Sequence, residues 1–144
     1  MRPITAIALF CEDIREEKLE THSLVGVMPD NLEVGSPGGY LPKLAIYLRI
    51  QLDHDVDVKK IQARVVFPNG RMLELAPFDA VTVEAAKEQS KGNGLPYTGL
   101  VGRAIMSPVP IETPGRIEVI VTADGNDFVC GILNIITTDA PSGS

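Results

Sequence analysis

The segment that decides the fold is residues 44–52, LAIYLRIQL. Every second residue in it is a large aliphatic one: Leu44, Ile46, Leu48, Ile50 and Leu52. Successive side chains of a β-strand point to opposite faces of its sheet, so this alternation predicts a strand with one buried face. The residues between them, Ala45, Tyr47, Arg49 and Gln51, predict a second face that is open to water.

Two more alternating segments end in turns and predict hairpins. Residues 61–67 lead into Pro68-Asn69-Gly70, whose Asn-Gly pair suits a tight turn back into 71–75. Residues 117–123 lead in the same way through a polar turn into 128–137. Four other strands are predicted where Ile, Val, Leu and Ala are dense, at 4–11, 22–28, 80–86 and 99–106.

Little room remains for helices, because eleven prolines and thirteen glycines interrupt the chain. Residues 14–19 contain good helix formers but are few, and they predict a single turn or a charged connection. Residues 82–90 suit either a helix or a strand, and the strand is favoured. The sequence therefore predicts an all-β chain with little helix.

Short strands at near-regular spacing, without alternating helices, predict an antiparallel β-sandwich of eight or nine strands. An open barrel is the alternative. The chain of 144 residues suits one core, so 1–138 is predicted to form a single domain. Residues 36–39 and 90–94 are predicted to be loops, and 139–144 a flexible tail.

Composition excludes several classes of function. The net charge of −6 disfavours nucleic acid or an anionic membrane as a partner held by bulk charge. No Gly-x-Ser-x-Gly motif, paired Cys and His signature or phosphate-binding glycine loop is present. We therefore expect neither an enzyme nor a cofactor.

The two cysteines, Cys11 and Cys130, lie inside apolar segments near opposite ends of the sequence. A free cysteine in such a segment usually behaves as a small hydrophobic residue. The first ten residues lack the apolar core and cleavage site of a signal peptide. We expect a cytoplasmic protein with reduced thiols, and a single bridge between these cysteines is the alternative.

Aspartates suggest one possible metal site. Asp53, Asp55 and Asp57 alternate in a predicted loop, and a second turn supplies Asp124 and Asp127. Loop carboxylates at the rim of a sandwich are ligands that Ca²⁺ prefers. A calcium-dependent ligand or membrane-binding module resembling a C2 domain is therefore an alternative function. The competing explanation is an ordinary solvated turn, because Lys59 and Lys60 follow at once.

Residues 12–20 contain five acids and two basic residues, so half of the net charge lies in nine positions. This segment follows Phe10-Cys11-Glu12-Asp13-Ile14-Arg15 and precedes Ser23-Leu24-Val25-Gly26-Val27. The two motifs resemble an uncharacterised family of small bacterial cytoplasmic proteins that are single β-sandwich domains. The resemblance implies the fold, a bacterial origin and a cytoplasmic location, and it supplies no catalytic residue or ligand.

The function predicted from these features is a non-enzymatic protein-binding or assembly module. Asp13 and Arg15, with Asp30 and Asn31, are candidates for a polar recognition site at one end of the sandwich. The long apolar strands predicted at 117–123 and 128–137 suggest an edge that pairs with another protein or with a second copy of the chain. A hydrolase with a dispersed site is a third hypothesis, for which no nucleophile is evident.

Overall fold

The computed structural model describes residues 4–35, 39–58, 60–75, 78–111 and 113–137. Within them lie eleven β-strands, one α-helix and one short 3₁₀ turn. The elements are β1 (Ile4–Glu16), the 3₁₀ turn (Lys18–Glu20), β2 (His22–Val27), β3 (Asn31–Val34), β4 (Gly39–Leu41), β5 (Leu44–Asp53), β6 (Ile61–Val66), β7 (Met72–Glu74), α1 (Ala80–Gly92), β8 (Tyr97–Met106), β9 (Val109–Ile111), β10 (Gly115–Ala123) and β11 (Asn126–Thr137).

The strands form two main sheets. The four-stranded sheet has the order β2-β1-β5-β8, and the five-stranded sheet has the order β3-β11-β10-β6-β7. Strands β4 and β9 form a separate two-stranded ribbon. All described strand pairs are antiparallel except β3 and β11, which run parallel over 31–34 and 134–137. The predicted all-β sandwich is confirmed.

The core lies between the two main sheets and is built by the predicted alternation. Leu44, Ile46 and the later aliphatic residues of β5 are buried in one cluster with the inward residues of β6, β10 and β11. The five-stranded sheet contributes Ile61, Ala63, Val65, Ile117, Val119, Val121, Leu133 and Ile135. Full burial of a large aliphatic side chain is worth about 1.5–3 kcal/mol, so this cluster fixes which face of each strand points inward.

Both predicted hairpins are present. In the first, Phe67 N–H donates to the Arg71 carbonyl at 2.9 Å, and Arg71 N–H donates to Asn69 Oδ1 at 3.0 Å. In the second, β10 and β11 pair along their length, with a register shift that leaves Cys130 as an extra residue opposite Val119 and Ile120. This β-bulge bends β11.

One predicted strand is a helix. Residues 80–86 belong to α1, and so do the first three residues of the loop predicted at 90–94. Asp79 decides the start, because its Oδ1 accepts a hydrogen bond from Thr82 N–H at 2.8 Å and caps the first turn. Lys87 then anchors the helix, since its buried ammonium donates to the Val56 carbonyl.

Residues 14–19, predicted to form a single turn or a charged connection, also differ from the prediction. Strand β1 continues through Glu16 and pairs with β2 from Cys11 onward, so most of 14–19 is extended. Only Lys18–Glu20 forms a turn, in which Leu19 and Glu20 have positive φ angles of 62° and 59°. The short strands β3, β4 and β9 were not predicted. The predicted tail, 139–144, and most of the loop at 36–39 lie outside the described residues.

The two sheets approach each other most closely where β1 crosses β11. A Cβ atom added at Gly131 would lie 2.8 Å from Ala8 Cβ and 3.0 Å from the Ala8 carbonyl oxygen. Real Cβ atoms do not come so near, so only glycine fits at this position. The described residues contain no helix long and apolar enough to cross a membrane.

Candidate functional site

The outward face of the four-stranded sheet carries a set of exposed aliphatic side chains. Strand pairing places the residues of this face in three adjacent rows, which also contain residues of other types. The rows are Val27, Cys11, Ala45 and Ile105; then Leu9, Tyr47 and Arg103; then Ile7, Arg49 and Val101. The exposed fractions are 56% for Ile7, 37% for Leu9, 52% for Val27, 43% for Val101 and 49% for Ile105. These five residues are called the apolar face below. Exposed apolar residues that are contiguous often mark interaction sites.

Between Val27 and Ile105 of the apolar face, the sheet buries a second, smaller cluster. Cys11, Ile14 and Ala45 are buried there, and Leu24 and Tyr47 pack against them. Cys11 Sγ donates to the Ala45 carbonyl at 3.7 Å, and burial raises the pKa of this thiol. The face of β5 predicted to be open to water is therefore partly closed, because Ala45 is fully buried and Tyr47 half-buried.

Two arginines lie on this face. Arg49 lies on β5, directly between Ile7 of β1 and Val101 of β8, and its side chain is exposed. Arg103 lies in the row of Leu9 and Tyr47, and it forms an ion pair with Glu16. The face thus combines aliphatic contact area with the guanidinium group of Arg49, which lies between two aliphatic side chains.

The outward face of the five-stranded sheet has a different chemistry. Arg64 donates to Thr122 Oγ1 at 2.9 Å and to Asp127 Oδ2 at 3.1 Å, and Thr122 in turn donates to Asp127 Oδ1 at 2.5 Å. These hydrogen bonds, from Thr122 first and then Arg64, hold the pKa of Asp127 below its usual range. This set of three residues is called the polar network below.

The predicted recognition residues fall into two pairs. Asp13 and Arg15 lie on β1, where Asp13 forms an ion pair with Lys43 at 2.8 Å that lowers the pKa of its carboxyl. Asp30 and Asn31 instead join β11: the Asp30 carbonyl accepts from Asn134 N–H, and Asn31 Oδ1 accepts from Asn134 Nδ2 at 3.0 Å. The Asp13 side chain, the Asp30 carbonyl and the Asn31 side chain thus each take part in a contact between segments of the fold.

The five aspartates of the calcium alternative also have separate roles. Asp124 Oδ1 accepts a hydrogen bond from Lys60 N–H at 3.1 Å, and Asp127 belongs to the polar network. Asp53, Asp55 and Asp57 lie at and after the end of β5, in the segment that Lys87 ties to α1. Among the residues that the structure describes, no group of three or more His, Cys, Asp or Glu side chains is placed to hold a metal ion.

The two cysteines are free thiols on different sheets. Cys11 belongs to β1, and Cys130 is the bulge residue of β11, with Sγ 3.4 Å from the Val119 carbonyl that accepts its hydrogen bond. Burial raises the pKa of Cys130 to about 11. A raised pKa lowers the fraction of thiolate at neutral pH, and the thiolate is the nucleophilic form.

A pocket of about 250 Å³ lies at one end of the sandwich. One wall is the turn from Phe67 to Leu73, and the other is the segment from Met106 to Thr113. Neither the pocket nor the apolar face was predicted from the sequence. A sign of the apolar face was available, because 4–9 and 99–106 carry apolar residues at consecutive positions rather than only at alternate ones.

Comparison with known proteins does not assign the chain to a family. No protein-family model matches the sequence, and no curated protein matches it.

Proposed function

We propose that this protein is a non-enzymatic protein-binding module of the β-sandwich type, which holds its partner on the apolar face. The observation that carries the proposal is the set of five aliphatic side chains, each more than a third exposed, on β2, β1 and β8. On β1 and β8, the alternate residues Ala8, Phe10 and Leu100 are buried in the core. The outward set therefore adds nothing to the core and is available for contact.

The size of the face suits a protein partner. Four strands about 4.8 Å apart, over about five residues at roughly 3.4 Å each, cover about 19 by 17 Å. One partner in an interface of standard size buries about 800 Å², with an apolar centre and a polar rim. The apolar face is of a size that suits that centre, and Thr5 and Gln51 lie in the next row beyond it.

Arg49 indicates the chemistry of the partner. A second copy docked face to face about the middle of the sheet would bring two Arg49 side chains together, and like charges in an interface are unfavourable. A different protein that places a carboxylate opposite Arg49 would form a charge-assisted hydrogen bond inside an apolar contact. We therefore propose an apolar partner surface that carries an acidic side chain.

The proposal keeps the bacterial, cytoplasmic setting that the sequence resemblance implies. A reducing compartment suits two cysteines that are free thiols.

Site-specific photo-cross-linking in cells that naturally express the protein tests the proposal. The cross-linking residue replaces Ile105 on the apolar face or, as a matched control, Val129 on the other sheet; both are 49% exposed strand residues. We expect one discrete adduct from position 105, lost in Arg49→Glu, and none from position 129. Equal adducts from both positions, or none from 105, would refute the apolar face as the contact surface. An adduct of twice the chain's mass would identify a second copy as the partner and overturn the proposed acidic one.

A further inference from the structure

The pocket at the end of the sandwich is independent of the apolar face. Most of its lining is apolar and includes Phe67, Met72, Leu73, Met106, Val109 and Ile111, with three prolines at 68, 108 and 110. Asn69, Arg71 and Thr113 are the polar residues of the lining. The cavity lies between β7, an edge strand of the five-stranded sheet, and the residues that follow β8 of the four-stranded sheet.

Both walls are fixed by hydrogen bonds that do not depend on a ligand. Ser107 Oγ donates to the Pro42 carbonyl at 2.6 Å, and Tyr40 pairs with Pro110 in the β4–β9 ribbon. On the opposite side, the backbone of Arg71 is held from both directions, by Asn69 Oδ1 and by Phe67 N–H. A cavity whose walls are already in place costs little conformational entropy to fill.

Charge is confined to one point of the described lining. Arg71 is the only charged residue among the lining residues that the structure describes, and its side chain is exposed. A guanidinium group binds a carboxylate through two parallel hydrogen bonds. Apolar walls with a single arginine therefore match a ligand that has one carboxylate and an apolar body.

The volume limits the size of that ligand. A cavity of about 250 Å³ is just below the range of roughly 300–1,000 Å³ that is typical of small-molecule sites. It equals the liquid volume of about eight water molecules at ~30 Å³ each. We propose that the pocket binds a small monocarboxylate of about ten non-hydrogen atoms with an aliphatic or aromatic tail, the carboxylate on Arg71 and the tail between Met72 and Met106.

Methyl NMR of the full chain labelled with ¹³C-methyl methionine tests this site. Octanoate is the probe, and octan-1-ol and octylammonium are controls with the same tail. Met72 and Met106 line the pocket, whereas Met28 packs against the core elsewhere and serves as an internal reference. We expect saturable shifts of Met72 and Met106 with octanoate, no shift of Met28, and weaker binding of both controls.

Substitutions separate recognition of the carboxylate from general hydrophobic binding. Arg71→Gln is expected to weaken octanoate binding about tenfold or more and to leave octan-1-ol binding unchanged. Arg49→Gln, at another exposed arginine, between Ile7 and Val101 of the apolar face, is the matched control and is expected to change neither. Leu73→Trp, at a half-exposed lining position, is expected to fill the cavity and abolish both.

Three results would overturn the proposal. They are equal binding of octanoate and octan-1-ol, octanoate binding that Arg71→Gln does not change, and an octanoate shift of Met28 as large as that of Met72. None of these results bears on the apolar face, so the two proposals fail separately.

Discussion

The two main sheets bury the same chemistry and expose different chemistry. Inward, both contribute Ile, Leu and Val side chains to one core. Outward, the five-stranded sheet also has exposed aliphatic residues, but on β11 Val129, Ile132 and Ile136 are interleaved with Asp127 and Asn134, both of which are hydrogen-bonded. On the four-stranded sheet, Ile7 and Leu9 follow one another on the same face of β1, with Thr5 before them and Cys11 after them.

The two outward faces therefore differ in how favourably their side chains interact with water. Hydrogen-bonded polar side chains satisfy an outward face in water without a second molecule, as the polar network does. An apolar outward face gains free energy only when something covers it. The comparison agrees with the proposed binding role of the four-stranded face, and substitutions on the two sheets can test that division.

The largest effect is expected where the sheets touch. Gly131→Ala is expected to destabilise the fold by about 1–3 kcal/mol, because the new Cβ overlaps Ala8 and forces the sheets apart. Gly99→Ala, in the four-stranded sheet, is the control, since a Cβ there would have no described heavy atom within 4 Å outside its chain neighbours. Urea unfolding measures both, and an equal loss of free energy would contradict the close contact.

A smaller effect is expected in the polar network. Its hydrogen bonds hold the folded-state pKa of Asp127 below the unfolded value of about 3.9, so the charged carboxylate stabilises the fold above that pH. This contribution is lost as the pH falls through the folded-state pKa. Asp127→Asn should therefore lower the Tm at about pH 7, with the difference from wild type shrinking below about pH 4.

Arg64, the charged partner of Asp127, provides a second test of the polar network. Arg64→Met removes the other charged partner, and combining it with Asp127→Asn should cost less than the sum of the two single changes. Strict additivity, or a Tm difference that stays constant with pH, would show that the network does not stabilise the face.

The smallest effect on stability is expected on the apolar face. Ile7→Thr combined with Val101→Thr keeps β-branched residues in both strands and removes exposed apolar area. We expect the free energy of unfolding to change by no more than about 0.5 kcal/mol, while the adduct from position 105 disappears. A loss well above about 1 kcal/mol would place these side chains in the fold rather than in binding.

Local pattern was enough to predict the strands that build the core. The alternation in 44–52 and the Asn69-Gly70 turn are properties of neighbouring residues, and the structure confirms both. The strand was favoured over the helix because Val81, Thr82 and Val83 have high strand propensity. The contacts of Asp79 and Lys87 show why the segment is helical.

The candidate sites depend on pairing that a single sequence does not reveal. Arg49 lies within an apolar surface only because β1 and β8 place Ile7 and Val101 on either side of it. The pocket requires Arg71 and Met106 to meet from different sheets. The predicted recognition residues are polar neighbours in two sequence motifs, and in the structure Asp13 contacts Lys43 and Asn31 contacts Asn134.

The order of strands along the chain has a consequence for synthesis on the ribosome. Every strand of the four-stranded sheet has been made once Met106 emerges, but the five-stranded sheet needs β10 and β11, and β3 waits for residues near Asn134 before it can pair. Until then only β6 and β7 of the opposing sheet are available to cover the aliphatic residues of β5 that point inward. A nascent chain passes through a stage in which both sides of its first sheet are apolar, when chaperone capture or aggregation competes with folding.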